Sequence, residues 1–514
     1  MLRFFIACLL CVALCPAQQT ISVGNAASLA AALAPGSILS IQQLKPPQIV
    51  GPVDPSRVSV QIRPSGSTAT LDAPLLPSPL LAIWAQLPAS TPLGSADVTL
   101  TVDGQASAPA RITVTRTNFG LFTQAGNGLG AALAQNQDDA LNKLTRPVLP
   151  GQYVTLWGTG LGSVALSEVT LQLGGTKITP AYAGPAPTVP GVDQINFQVP
   201  DAGIPDGCYV SVVVNAGGIL SNEATLAKAS RPGPCEHPFG LSAAEMASLD
   251  SGGRILFGAV RLQSDVGVIP FFGSSPGAPT ELAGASAQFL RRDAFEIGLL
   301  AQPLTSDDSY FGCRVTPPSG AIGLLFAADV DAGNALTLTG PGQSITLPRS
   351  AGLYDASAFA MGQSLFVPGS WRIEGPGGAN IAPFHAELTL PPPVCVANRD
   401  SLTMLDLGQD QYVLWDPSGY SDTDVATVTL SLSRLAALGL SGSQIRCRTP
   451  ASTGALTIPS NLLQTLPPGS ASLRLGIAPR PNRRVLFSLP LTDGSSAQAF
   501  FDYSFSETIS TQMR

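Results

Sequence analysis

The feature that most constrains this chain is an internal repeat. "WAQLPASTPLGSADVTLTVDGQASAPARITV" (84–114) aligns with "NFQVPDAGIPDGCYVSVVVNAGGILSNEATL" (196–226), an offset of 112 residues from 84 to 196. Pro88 matches Pro200, and Val98, Leu100 and Val102 match Val210, Val212 and Val214. Pro35-Gly36 precedes the strand-like "SILSI" as Pro150-Gly151 precedes "QYVTLW". A strand-rich, helix-poor unit of this size, used twice, fits β-sandwiches laid in tandem. The expected fold class is all-β, with tandem Ig-like β-sandwich domains.

The glycine run "WGTGLGS" (157–163) has two possible readings, a phosphate loop or a turn. A phosphate loop needs a helix after the glycines, whose N-terminal amides hold the anion. Here Val169, Leu171 and Leu173 alternate with Thr170 and Gln172, which is strand periodicity. Gly174-Gly175 then marks a tight hairpin, with a return strand from Ile178 to Tyr182. The nucleotide reading fails. Composition agrees with a turn-rich β protein: 52 Gly and 46 Pro against 12% charged residues. A net charge of −7 with no basic block excludes nucleic acid as a partner and gives no attraction to an anionic membrane.

Five segments carry a resemblance: "PGQYVTLWGTGLG", "VTLQLGG", "YAGPAP", "GVDQINFQVP" and "SNEATL". They resemble the IPT/TIG-type Ig-like sandwich. They are closer still to a domain family of unassigned function abundant in exported acidobacterial proteins, whose pattern includes the linking "NFGLFTQAGNGLGAALAQNQDDALN" (118–142). The resemblance covers roughly residues 20–228 and is strongest in the second copy. The first copy lacks the WGTGLG turn. The family has no established catalytic residues, so the resemblance carries none over.

The expected organisation is a signal peptide at 1–17, a degenerate sandwich at 18–116 and an IPT/TIG-like sandwich at 117–229. A β-rich domain follows at 241–392 and a sandwich-like domain at 393–514, divided by "LPPPVC" (390–395). Ser242 and Glu245 have the spacing of a capping box, which predicts one short helix there. At the N-terminus, Arg3, the apolar run Phe4–Leu14 and the exit Cys15-Pro16-Ala17 read as a secretory signal. Leu14 before Cys15 argues against a lipid anchor. No later apolar run is long enough to span a bilayer. The expected location is secreted, or at the cell surface or periplasm.

Beyond the signal, five cysteines remain: Cys208, Cys235, Cys313, Cys395 and Cys447. They lack metal-site spacing, and with only His237 and His385 available no zinc site is expected. In an exported chain they read as disulfides plus a free thiol. Cys208–Cys235 is the expected pair, bracketing the last strand region of the second sandwich. Among the other three, sequence does not settle connectivity, and Cys313–Cys447 is slightly favoured.

Candidate chemistry is thin. "GSSPG" (273–277) matches G-x-S-x-G around Ser275, but Pro276 and Pro279 forbid the helix that a nucleophile elbow requires. His385 and Glu387 share one strand face, as acid/base partners or as solvated polar residues. Acidic turns at 306–308 and 328–334 lack a calcium-loop spacing. Any recognition site is expected in the carboxy-terminal half, on the turn that carries Tyr412, Asp416, Tyr420, Asp422 and Asp424, with Trp415 in the core. The reading is a non-enzymatic, exported structural, adhesive or binding protein without a cofactor. Its partner would be an unidentified extracellular protein or polysaccharide. The alternative is a secreted hydrolase with its site in the carboxy-terminal half. Mass spectrometry of the native chain is expected to find its N-terminus at or near Gln18; an intact Met1 would overturn the export argument.

Overall fold

The computed structural model describes residues 19–44, 54–77, 82–267, 280–305, 312–316, 330–361, 365–422, 424–432, 444–464, 466, 468–478 and 484–514. The signal segment lies outside them. Strands dominate throughout. In the first unit, Ile21–Asn25, Ile38–Gln43, Ile83–Gln86 and Leu75–Leu76 form one sheet. It faces a second sheet built on Ala110–Val114, Gly94–Val102 and Val58–Pro64. Along Val58–Pro64 buried and exposed positions alternate, and Leu39, Ile41, Val60, Ile62, Val98 and Leu100 fill the space between the sheets.

The second unit repeats the plan. Tyr153–Thr159 is central to one sheet, between Asp193–Gln198 and the short Ala134–Asn136. The facing sheet runs Thr176–Ile178, Val169–Leu173, Gly207–Ala216. The Val169–Leu173 hairpin closes through Gly174 and Gly175, at φ +53° and +85°. Positive φ at both central positions is the turn whose twist matches a two-residue hairpin, and there glycine bears no steric penalty.

The WGTGLG run is a strand end packed into the seam between these two units. A Cβ on Gly158 would strike Phe119, and one on Gly162 would strike the carbonyl of Arg116. Thr159 sits fully buried between them. Its Oγ1 accepts from Ile38 N at 2.8 Å and donates to Gly191 O at 2.6 Å. Asn25, also fully buried, donates through Nδ2 to Asn118 O and Thr159 O. Ala26, Ala27, Ile38 and Phe122 form a small apolar cluster beside these bonds, with Trp84 and Trp157 packed on its edge.

The remainder departs from the expected division at 392/393. Strand Ile255–Gly267 pairs antiparallel with Thr280–Arg292 on one side and parallel with Ser496–Met513 on the other. Gly312–Thr316 pairs with Gln444–Pro450 across the same boundary. One sheet of 14 described strands thus draws on both segments, and one apolar core runs from Val260 to Met513. Separate domains at 241–392 and 393–514 are therefore corrected to a single unit. The physical reason is edge satisfaction. A 13-residue strand left with a bare edge needs a partner, and the alternating 18-residue Ser496–Met513 provides it.

Between the second sandwich and this unit runs a chain of buried contacts. Cys208 is joined to Cys235, which ties the linker back to the Gly207–Ala216 strand. The loop of 27 residues contributes roughly 3 kcal/mol in the chain-entropy account. Cys313 is joined to Cys447 directly across paired strands, and Cys395 is free and exposed. Tyr209, His237, Phe239, Phe257 and Phe500 then touch in sequence, ring to ring. Helix Ala243–Asp250 starts at the Ser242/Glu245 capping box. The Asp250 carboxylate at its end accepts from Thr145 N and Thr145 Oγ1.

Two buried groups give opposite pH signatures. Burial beside the first sandwich raises the Asp193 carboxyl from 3.8 to about 6, although the Leu161 and Gly160 amides oppose the rise. Between those values the folded chain holds a proton that the unfolded chain has released. This contribution is therefore fully present below about pH 4 and is lost as pH rises through 6. Burial lowers His237 to about 3, so its effect runs the other way, and stability falls as pH drops below 6.5. Asp193→Asn isolates the first. The stability of wild type minus that of Asp193→Asn, from denaturant titrations, is expected to fall by up to about 3 kcal/mol between pH 4 and pH 7. A difference independent of pH would contradict the burial of that carboxyl.

Candidate functional site

The turn expected to recognise a partner is largely occupied with its own architecture. The Asp416 carboxylate accepts from Ser418 N at 2.9 Å, which holds it below the usual carboxylate range. Asp422 accepts from Ser452 Oγ at 2.5 Å. Asp424 is buried, and its Oδ2 accepts from Ser421 N and Ser421 Oγ. Tyr420 packs on the large core and donates its hydroxyl to Pro392 O at 2.7 Å. Trp415 is buried, with Nε1 donating to Ala451 O. Tyr412, on strand Gln411–Leu414, is left 57% exposed. This is turn chemistry of Asp and Ser in which Tyr412 alone keeps its ring in solvent.

The catalytic candidates are dispersed. Ser275 and its turn lie outside the described residues, as do the acidic positions 306–308. Asp331 organises a turn by accepting from Gly333 N and Ala379 N and pairing with Arg349 at 3.2 Å. His237 is buried, with Nε2 at 3.0 Å from the Tyr209 hydroxyl and Nδ1 accepting from Phe239 N. His385 and Glu387 lie on the exposed side of strand Phe384–Leu390. Glu387 and Glu374 are both held by Arg372, at 3.0 and 2.8 Å. No nucleophile and base meet among these described groups. Among the described residues no group of three or more His, Cys, Asp or Glu side chains could hold a metal ion, and no helix is long and apolar enough to cross a membrane.

A denser arrangement occurs on the outer face of the second sandwich, where sequence gave no reason to look. On strand Tyr153–Thr159 the core takes Val154 and Leu156, so Tyr153, Thr155 and Trp157 point outward. On Asp193–Gln198 the core takes Ile195 and Phe197, which leaves Gln194, Asn196 and Gln198 outside. Register brings these together: Tyr153 lies opposite Gln198, Thr155 opposite Asn196, and Trp157 opposite Gln194. Gln135 flanks Thr155, and Tyr182 flanks Asn196 from the other edge.

Neighbours fix the orientation of these side chains. Trp157 Nε1 donates to Gln135 Oε1 at 3.2 Å, and Gln194 Nε2 to Asn196 Oδ1 at 2.9 Å. The Tyr182 ring lies over Gly184, where an added Cβ would come within 2.9 Å of its hydroxyl oxygen. At one end, Tyr153, Gln198, Thr179 and Asp201 border a depression of about 360 Å³. Tyr153 and Tyr182 are 46% and 38% exposed, so the aromatic faces are open to solvent. Apart from Asp201 at the rim, the row carries amides, hydroxyls and aromatic rings and no charge. Each strand supplies only alternate residues, from four segments spread between Gln135 and Gln198, and linear sequence does not display that grouping.

The chain matches no protein-family profile and no curated protein sequence. Among solved structures, domains 5–6 of the S-layer protein SbsC are 11% identical, with 41% of this chain and 97% of that one covered at a TM-score of 0.21. SGBP-B of a Bacteroides ovatus mixed-linkage glucan utilization locus is 12% identical, with 53% and 71% covered at 0.21. Immunoglobulin domains 1–4 of Sidekick-1 are 9% identical, with 95% and 100% covered at 0.13. Scores this low do not transfer a binding role.

The two tyrosines of the 412–424 turn are expected to behave differently. Tyr420→Phe removes the bond to Pro392 and should cost about 1 kcal/mol in a denaturant titration. Tyr412→Ala should leave stability within about 0.5 kcal/mol of wild type, as for an exposed side chain. Equal losses would refute this account of the turn.

Proposed function

We propose that this chain is an exported, non-enzymatic β-sandwich protein that binds a neutral polysaccharide on the amide-and-aromatic face of its second sandwich. The observation that carries this reading is the row of Tyr153, Trp157 and Tyr182 among Gln135, Gln194, Asn196 and Gln198. Sugar hydroxyls both donate and accept hydrogen bonds, and a primary amide does the same. Tyrosine and tryptophan rings supply rigid apolar area for the C–H faces of a pyranose at little entropic cost. An uncharged row offers no counter-ion to an acidic polymer. A flat sheet face also suits an extended chain better than a small solute, which needs enclosure.

Two cross-links support export, because disulfides such as Cys208–Cys235 and Cys313–Cys447 persist in oxidising compartments. The IPT/TIG-like pattern of 117–229 belongs to the same reading, and so does placement at the cell surface, in the periplasm or in the medium. His237 is buried and His385 stands on an open strand face, so neither supports the hydrolase alternative.

Affinity electrophoresis of the intact protein in gels containing hydroxyethyl cellulose, xyloglucan or galactomannan tests the reading. Retardation is expected in at least one gel, insensitive to salt between 50 and 500 mM, with no conversion of the polymer. Tyr153→Ala and Tyr182→Ala should each weaken retention about tenfold, roughly 1.4 kcal/mol, while melting stays unchanged. Gly184→Ala, which displaces the Tyr182 ring, should do the same. Retention that ignores all three substitutions, or no retention in any gel, would overturn it.

A further inference from the structure

The large carboxy-terminal sheet contains a cavity of a different chemistry. About 410 Å³ in volume, it lies on the face formed by strands Ile255–Gly267 and Thr280–Arg292, beside helix Ala294–Thr305. Arg261, Gln263, Ser286, Gln288, Arg292 and Asp355 supply its polar lining, and its floor is small: Ala283, Gly284 and Ala285.

Arg292 is among the most completely buried large side chains of the described protein. Its Nη2 donates to Gln288 Oε1 at 3.1 Å, while its Nε has no hydrogen-bond partner. No described carboxylate forms an ion pair with it. The nearby acids of the helix start, Asp293 and Glu296, are held by Arg254 at 3.3 and 2.6 Å. Arg261 is steadied over the Phe500 ring, its guanidinium carbon 5.2 Å from the centroid. It shares Asp502 with Arg484, which binds that carboxylate at 2.6 Å against 3.8 Å for Arg261. Among the described residues that line the cavity, Asp355 is the one carboxylate beside Arg261 and Arg292. Burial pushes the Arg292 pKa down, against the helix-start acids and with Arg261 and Arg254, yet a guanidinium keeps its proton.

A buried cation without a carboxylate is costly unless something supplies the missing charge. Guanidinium groups bind oxyanions in a planar fork, and the buried Arg292 with the half-exposed Arg261 at the cavity mouth favours carboxylate over hydroxyl. We propose that this cavity binds a carboxylate-bearing hydroxy acid of sugar size, with its carboxylate on Arg261 and Arg292 and its hydroxyls toward Gln263, Ser286 and Asp355. The group could arrive as a free acid or as a uronate of a polymer. The site is separate from the neutral-glycan face and does not depend on it.

Isothermal titration of the full chain with galacturonate, trigalacturonate, acetate and galactose tests this. Galacturonate is expected to bind saturably, more weakly as salt rises, while galactose does not bind. Tighter binding of trigalacturonate identifies the polymer as the source, and equal or weaker binding identifies the free acid. Arg261→Gln and Arg292→Met should each weaken binding at least tenfold. Replacing a buried, unpaired cation by an apolar side chain is tolerated, so Arg292→Met should remain folded. Gly284→Leu is a second, independent block. A Cβ there has no neighbour closer than 3.8 Å, so the side chain enters the cavity without moving the arginines. Absence of saturable binding by any carboxylate probe, or binding that survives Arg292→Met and Gly284→Leu, would overturn the proposal. Tyr153→Ala should leave this binding unchanged, so failure here and failure of the neutral-glycan reading are separable.

Discussion

The Thr159 hydroxyl is the point on which the amino-terminal half is assembled. It is buried between two sandwiches, accepts from an amide of the first and donates to a carbonyl of the second. Each of those backbone groups would otherwise be a buried polar atom without a partner, at about 1–3 kcal/mol apiece. Asn25 answers the same requirement from the other side, with both amide hydrogens on carbonyls of the second unit and its oxygen on Ala27 N and Ser28 N. Close approach is possible because Gly158, Gly160 and Gly162 present bare backbone. A glycine motif that resembles an anion loop in sequence thus acts here as an inter-domain seam joined by hydrogen bonds.

That seam also positions the aromatic surface. Trp84 comes from the first sandwich and stacks on Phe122 at 5.7 Å, while Trp157 comes from the second and packs on the same cluster. The other two tryptophans, Trp371 and Trp415, are core residues at 0% and 3% exposure. Every tryptophan outside a core therefore stands where the two sandwiches meet, next to the amide row. Further along, the Cys208–Cys235 bond and the ring contacts from Tyr209 to Phe500 carry the second sandwich into the large sheet. Apolar and covalent contacts, and few ion pairs, make these junctions. A chain with 12% charged residues has little else to use.

Legibility in the sequence followed the range of the interaction. The Gly174-Gly175 hairpin and the Ser242/Glu245 cap involve neighbours within a few residues, and each was readable from spacing alone. The break at Pro391–Pro393 was readable too, but its meaning was not. Prolines stop a strand locally and say nothing about Ile255–Gly267 pairing in parallel with a segment more than 200 residues away. The 412–424 turn misled for the opposite reason. Its Asp, Ser and Tyr residues look convergent in sequence, yet a turn rich in such residues satisfies them internally, as Asp416 with Ser418 shows. Conversely, the two surfaces argued above are invisible by composition. Tyr153, Asn196 and Tyr182 meet only through register, and Arg261 and Arg292, six register positions apart on an antiparallel pair, come to one cavity only in the folded sheet.

The two arginines of the large sheet show where local rules yield. Arg484 is as buried as a core residue, and although its Nε has no hydrogen-bond partner its charge is answered by Asp502 at 2.6 Å, with Leu300 O and the Phe500 ring at 4.0 Å as further contacts. Arg292, at the end of strand Thr280–Arg292 and equally enclosed, has one side-chain amide. The two buried guanidinium groups thus differ in one respect: Arg484 has a carboxylate as counter-ion, and Arg292 has no ion pair with a described carboxylate. Packing does not force the difference, since Gly284 leaves open volume rather than an apolar filling on that face. Folding alone would favour a leucine or methionine there, because a buried charge lacking its counter-ion lowers stability and an apolar replacement does not. A sequence that retains the cation and the empty space together has a local inconsistency of the kind that sites for binding, and not cores, are built around.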